Sequence, residues 1–395
     1  MRSLSTLTAR ARTLGVLTAV TVAVAVGFAG PAHAALSGSD WTEQALPANY
    51  SIGSASPLDP VSCVPGTQFC VVIASDSANL INGTFIGQAA LVTTDAGRTW
   101  TGYATVPSTV RVTAVSCPSA SVCWASGTAW LADTPAVAES TDGGQTWTDK
   151  TPAAWSGATW WPNAVDCVSA TTCWLAGVDA ANNLQNPAVA ETSDGGATWT
   201  TFANLPTFVS GDPNGTYTLN GISCLSAASC VAVGGLNEAD GKATVISTTD
   251  GGVTWTRSMS AALSRIQQLF SVSCLPGAHG KTVCLGAGAA KEAAGPVALL
   301  SGNGGATWDR KRQFDNTGWL NSISCATTTN CWAAGSGTTV ALVGTANKGK
   351  SWATVTSDTS NEDGSVSCLN LDVCVATTDN GLWVTSDDGG LAATG

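Results

Sequence analysis

Histidine is nearly absent from this 395-residue chain, which holds only His33 and His279. Tyrosine (3) and methionine (2) are almost as rare, and Asp, Glu, Lys and Arg together make up only 11% of the residues. Typical soluble domains carry about 25% charged residues, so the surface must rely on Ser, Thr, Asn and Gly. The shortage of His removes zinc sites built from several imidazoles and most His-based acid–base schemes. No EF-hand-type loop is present, so no metal and no cofactor is expected. Beyond the first thirty residues, no stretch is long and apolar enough to span a bilayer. Disorder is excluded by an apolar fraction of 44%.

What is abundant is Gly (43), Trp (16) and Cys (14). At the N-terminus, Arg2, Arg10 and Arg12 precede an apolar run from Leu14 to Ala29, then Pro31 and the small-x-small site Ala32-His33-Ala34. This is the pattern of a secretory signal peptide covering 1–34. It has no twin-Arg pair and no Cys at the cleavage site, as expected of general secretion without a lipid anchor. Cleavage removes three of the 16 basic residues and none of the 27 acidic ones, leaving 13 against 27. The result is an acidic secreted chain, a poor match for nucleic acid or anionic membranes, and expected to be a monomer. In an oxidising compartment the 14 Cys read as disulfides.

The cysteines fall in seven close pairs: Cys63–Cys70, Cys117–Cys123, Cys167–Cys173, Cys224–Cys230, Cys274–Cys284, Cys325–Cys331 and Cys368–Cys374. The first Cys recurs after 54, 50, 57, 50, 51 and 43 residues. Each follows a Val/Ile–Ser pair, except that Asp166 replaces the Ser in one. After the second Cys comes a short apolar run such as Cys173-Trp174-Leu175-Ala176-Gly177. Further on lies a turn motif, Ser/Thr-x-Asp-x-Gly-x-Thr-Trp, complete at 93–100, 140–147, 192–199 and 248–255. Asn303 and Asn347 replace the Asp in two more copies, and a seventh begins at Thr385 without its Trp. In such a turn Asp or Asn accepts backbone N–H bonds, Gly takes a left-handed conformation and Trp anchors the next strand.

This motif resembles the Asp box of BNR-repeat proteins, within the sialidase-like fold superfamily. The resemblance, with four short β segments per unit of about 50 residues, implies an all-β fold: a single seven-bladed β-propeller with four-stranded blades over 35–390. Trp41-Thr42 reads as an orphan fourth strand that closes the ring onto the last blade, and each blade would carry one hairpin disulfide. Trp124, Trp174 and Trp332 share one repeat position and read as blade packing. The tail 391–395, Leu-Ala-Ala-Thr-Gly, is similar to a sortase sorting signal, although five small residues also match by chance.

In propellers of this kind, ligands bind at the mouth of the central channel, opposite the disulfide hairpins. The residue six before each first Cys should lie there: Pro57, Arg111, Trp161, Thr218, Gln268, Trp319 and Glu362. Trp130, Trp155, Trp160 and Trp161 crowd the same face, and Tyr217 approaches it. Indole faces with Arg, Gln and carboxylate neighbours suit sugar rings, while the plainer reading has these Trp padding long loops. The expected ligand set is therefore Arg111, Trp160, Trp161, Tyr217, Gln268, Trp319 and Glu362. Sialidases need three Arg, a Tyr–Glu pair and a Phe-Arg-Ile-Pro motif, and the last is absent. Xyloglucan-type hydrolases resemble two facing propellers, and this chain supplies one. The chain is also similar to photosystem assembly factor-like propellers and to bacterial exo-alpha-sialidase-like proteins, but it lacks the basic patch of the former. The expectation is a secreted, non-catalytic binding or scaffold protein at the cell envelope, with a glycan or envelope protein as partner. The alternative is a glycoside hydrolase using loop carboxylates such as Asp59, Asp76, Asp179, Asp212 and Asp363.

Overall fold

A computed structural model describes residues 41–52, 60–81, 85–106, 109–130, 132–180, 186–202, 205–206, 217–236, 242–291, 295–314, 318–337, 342–356, 364–378 and 381–385. The expected signal peptide at 1–34, Pro57, Asp59, Asp212, Glu362, Asp363, the seventh turn beyond Thr385 and the 391–395 tail lie outside the described residues. Those described fall within one unit, Leu36–Gly395. Apart from three short 3-10 turns, every described regular element is a β-strand.

Each repeat folds as an antiparallel meander. In one sheet Trp160–Cys167, Cys173–Asp179, Asn186–Thr192 and Thr200–Thr201 lie side by side in chain order. All seven Cys pairs form disulfides within the first hairpin of a repeat. Trp41–Gln44 pairs antiparallel with Gly381–Thr385, so a strand from the start of the described chain completes the last sheet.

The expectation of a propeller with seven separate four-stranded blades does not hold. There are six sheets among the described residues: four have four strands, one has five and one has eight. Five are thus of blade width and the sixth is double. Two causes can be named. Cys70–Ile81 is long enough to pair with an extra strand, Tyr50–Ser51. In the double sheet Gly235 pairs with Gln268 across what would have been a blade boundary. A Cβ at Gly235 would lie 2.8 Å from the Gln267 carbonyl oxygen, so only Gly allows this approach.

The core lies between neighbouring sheets. Trp124, Trp174 and Trp332 are buried there. Each meets the next repeat edge-on: Trp124 at Trp199 (6.0 Å), Trp174 at Trp255 (5.9 Å) and Trp332 at Trp41 (5.2 Å), while Phe202 of its own sheet stacks on Trp174 at 5.4 Å. Serines before the first Cys tie successive hairpins together. Cys117, Cys167, Cys274, Cys325 and Cys368 each donate their N–H to the Ser of the preceding repeat: Ser62, Ser116, Ser223, Ser273 and Ser324. Cys224 donates to Asp166 at 2.6 Å, and Cys63 donates to Ser367 at 2.9 Å, returning the circuit to its start.

The turns are local polar knots. Asp194 accepts the Thr192 hydroxyl at 2.9 Å, the Thr198 N–H at 2.9 Å and the Thr198 hydroxyl at 2.6 Å. Gly195 and Gly196 sit at φ 71° and 77°. Thr198's bonds hold the Asp194 carboxyl down to about 2, and those of Thr254 lower Asp250 in the same way. Where Asn303 replaces Asp, its amide instead donates to Thr307 at 2.9 Å.

Candidate functional site at the channel mouth

One cavity of about 170 Å³ touches all seven inner strands and marks the axis. Its wall is set by a bulge in five of them. The ladder skips one residue, four before the first Cys: Thr113, Asn163, Asn220, Phe270 and Asn321. Three of these polar side chains reach the neighbouring inner strand. Thr113 donates to the Pro162 carbonyl at 3.3 Å, Asn163 to Leu219 at 2.9 Å and Asn220 to Leu269 at 2.9 Å. The throat is narrow and its amides serve the ring, so a ligand of any size must sit at the rim.

The bulge also positions the rim. Two residues upstream of it, the carbonyls of Arg111, Trp161, Thr218, Gln268 and Trp319 turn toward the adjacent strand. There a Cβ at Gly127, Gly177, Gly234, Gly288 or Gly335 would come within 1.8–2.1 Å of them. These glycines, four residues after the second Cys, are required by that approach. Where the inner strand has no bulge, at Val61–Cys63 and Ser365–Cys368, the same position is Ala74 or Thr378.

The rim residues differ in what they offer. Trp319 is 38% exposed, the one exposed large aromatic among the described residues. Trp161 is half-buried, and its Nε1 donates to the Asp133 carbonyl at 2.7 Å. Arg111 is half-buried with its guanidinium over Trp130, 5.8 Å from the ring centroid. Gln268 donates to the Thr218 hydroxyl at 3.4 Å, so that pair bonds across the rim. Trp160 and Tyr217 are buried at 8% and 6% exposure, and Trp155 packs edge-on against Trp160 at 4.9 Å. They support the rim from beneath, as the padding alternative has it. The repeated small polar residue at the bulge was the signal that sequence reasoning passed over.

Beside this rim, Trp160, Asp179, Asn186, Phe202 and Leu205 line a cleft of about 600 Å³. Asp179 accepts the Thr159 hydroxyl at 2.9 Å. His279 is exposed in the Cys274–Cys284 loop, at the disulfide end of its hairpin. Among the described residues no group of three His, Cys, Asp or Glu could hold a metal ion, and no helix is long and apolar enough to cross a membrane.

No family model matches the chain, and no curated protein does. Solved structures do. YCF48 from Cyanidioschyzon merolae aligns with TM-score 0.57 at 15% identity, covering 87% of this chain and 98% of that one. YCF48 bound to D1 peptide gives 0.56 at 16%, covering 89% and 97%. The BP39L lectin from Burkholderia pseudomallei gives 0.57 at 14%, covering 85% and 97%. At these identities the likeness establishes the architecture alone, an all-β propeller.

Proposed function

We propose that the chain is a secreted, non-catalytic binding propeller at the cell envelope that takes glycans at the channel mouth. The observation that carries this reading is the rim: Trp319 exposed, Trp161 half-buried and Arg111 half-buried over Trp130, all set by bulged strands of a rigid ring. Indole faces stack on the C–H faces of sugars, and a preformed rim loses little entropy on binding. Similar structures include a lectin and YCF48 bound to D1 peptide, so propellers of this shape serve as binding platforms. Secretion is supported by the N-terminal pattern and by seven disulfides, and the protein acts as a monomer.

The test is a broad glycan array probed with the purified, fully oxidised protein beside a Trp161→Ala/Trp319→Ala variant. Selective binding that falls at least tenfold in the variant supports the reading. Equal binding by both proteins, or none by either, contradicts it. The glycoside hydrolase alternative has one observation in its favour, the cleft that holds Asp179. Turnover of fluorogenic glycosides that disappears in Asp179→Asn would establish it.

A further inference from the structure

We propose that Arg111, which lies over the Trp130 ring, binds the carboxylate of a uronic acid residue, so that the ligand is an acidic polysaccharide; this rests on the glycan reading above. Arg111 Nε is sealed from solvent and has no hydrogen-bond partner. Its contact is the face of Trp130, which offers a π cloud but no acceptor oxygen. Among the described residues no carboxylate pairs with this guanidinium, and an anion at its Nη nitrogens would balance its charge.

The surroundings are built rather than accidental. Trp130 Nε1 donates to the Val110 carbonyl at 3.1 Å, and Trp161 Nε1 donates to the Asp133 carbonyl at 2.7 Å. Both indole N–H groups are therefore used inside the protein, and what the two rings offer outward is apolar surface. Asp133 sits at φ 49°, a left-handed conformation that a non-glycine residue adopts at a cost. Trp161 and the Asp133 N–H, bonded to the Ala129 carbonyl at 3.0 Å, hold it there. The result is one cation with fixed aromatic neighbours, which matches one carboxylate on one sugar ring. The indole surfaces favour a sugar over an acidic peptide.

The experiment is calorimetric titration of the disulfide-intact protein with three probes: oligogalacturonate, the same oligomer with its carboxyls reduced to alcohols, and hexa-aspartate. Oligogalacturonate should bind, and the reduced oligomer at least tenfold more weakly. Its affinity should fall with added salt. Arg111→Gln should lose at least tenfold for oligogalacturonate, with little change for the reduced oligomer. Arg111→Lys should recover only part, because lysine lacks the planar fork. Equal affinity for both sugars overturns this proposal and leaves the glycan reading standing. Binding of neither sugar overturns this proposal, while the glycan array decides the reading it rests on, and tighter binding of hexa-aspartate overturns the choice of sugar. The comparison of the two sugars needs no variant, so it stands even if Arg111→Gln folds poorly.

Discussion

At the scale of single residues, the most telling departure is Asp166. Six serines and this one carboxylate accept the Cys N–H of the following repeat. Burial pushes the Asp166 carboxyl up to about 6, against the bonds from Cys224, Cys167 and Ser116. Its unfolded value is about 3.9, so the native state binds the extra proton between those limits. Stability therefore falls as pH rises from about 4 to about 6, and the loss is complete above that. The turn carboxylates act the other way. Asp194, held near 2, stabilises the fold above the unfolded value and loses that contribution as pH falls toward 2. Asp166→Ser should thus raise stability at pH 7.5 by about 2 kcal/mol and leave it nearly unchanged at pH 4. Guanidinium melts of the oxidised protein at both pH values test this; a variant less stable at pH 7.5 contradicts it. The Asp-for-Ser exchange was legible in the repeat, but the bond it makes to Cys224 was not, because that bond joins residues 58 apart.

At the scale of elements, the inner hairpin is governed by one bulge and one glycine. The Cys-x-x-x-Gly spacing was visible in five repeats, and so was the variable rim residue. The link between them was hidden, since a bulge is a property of pairing and leaves only a faint mark in one strand. Gly177→Ala places a methyl 1.9 Å from the Trp161 carbonyl oxygen, which is backbone and cannot swing aside. The expected cost is about 3 kcal/mol or more. Gly157→Ala meets nothing within 4 Å but keeps a φ of 77°, and should cost about 1 kcal/mol. Denaturant midpoints of the two variants separate close approach from backbone strain. Equal costs would mean that the Gly177 contact relaxes. The same reasoning explains the double-width sheet: whether two meanders join depends on a single backbone approach at Gly235, which no repeat count foresees.

At the scale of the molecule, the fold rests on circular closure. The circuit from Ser62 to Cys117 onward ends where Ser367 meets Cys63, and Trp41–Gln44 pairs with Gly381–Thr385. The all-β propeller with its disulfides was readable from spacing, because each repeat carries its own hairpin signal. The number of separate sheets was not. Of the candidate site, Arg111, Trp161 and Trp319 stand at the rim, whereas Trp160 and Tyr217 are drawn beneath it by the packing of neighbouring sheets. On the reading proposed above, ligands meet the face opposite the disulfides. Hydrogen–deuterium exchange, run with and without a saturating glycan from the array, tests this most directly. Exchange should slow at 128–130, 132–134, 159–162 and 318–320 and stay unchanged at the Asp194 and Asp250 turns. Protection confined to those turns and the disulfide loops would contradict it.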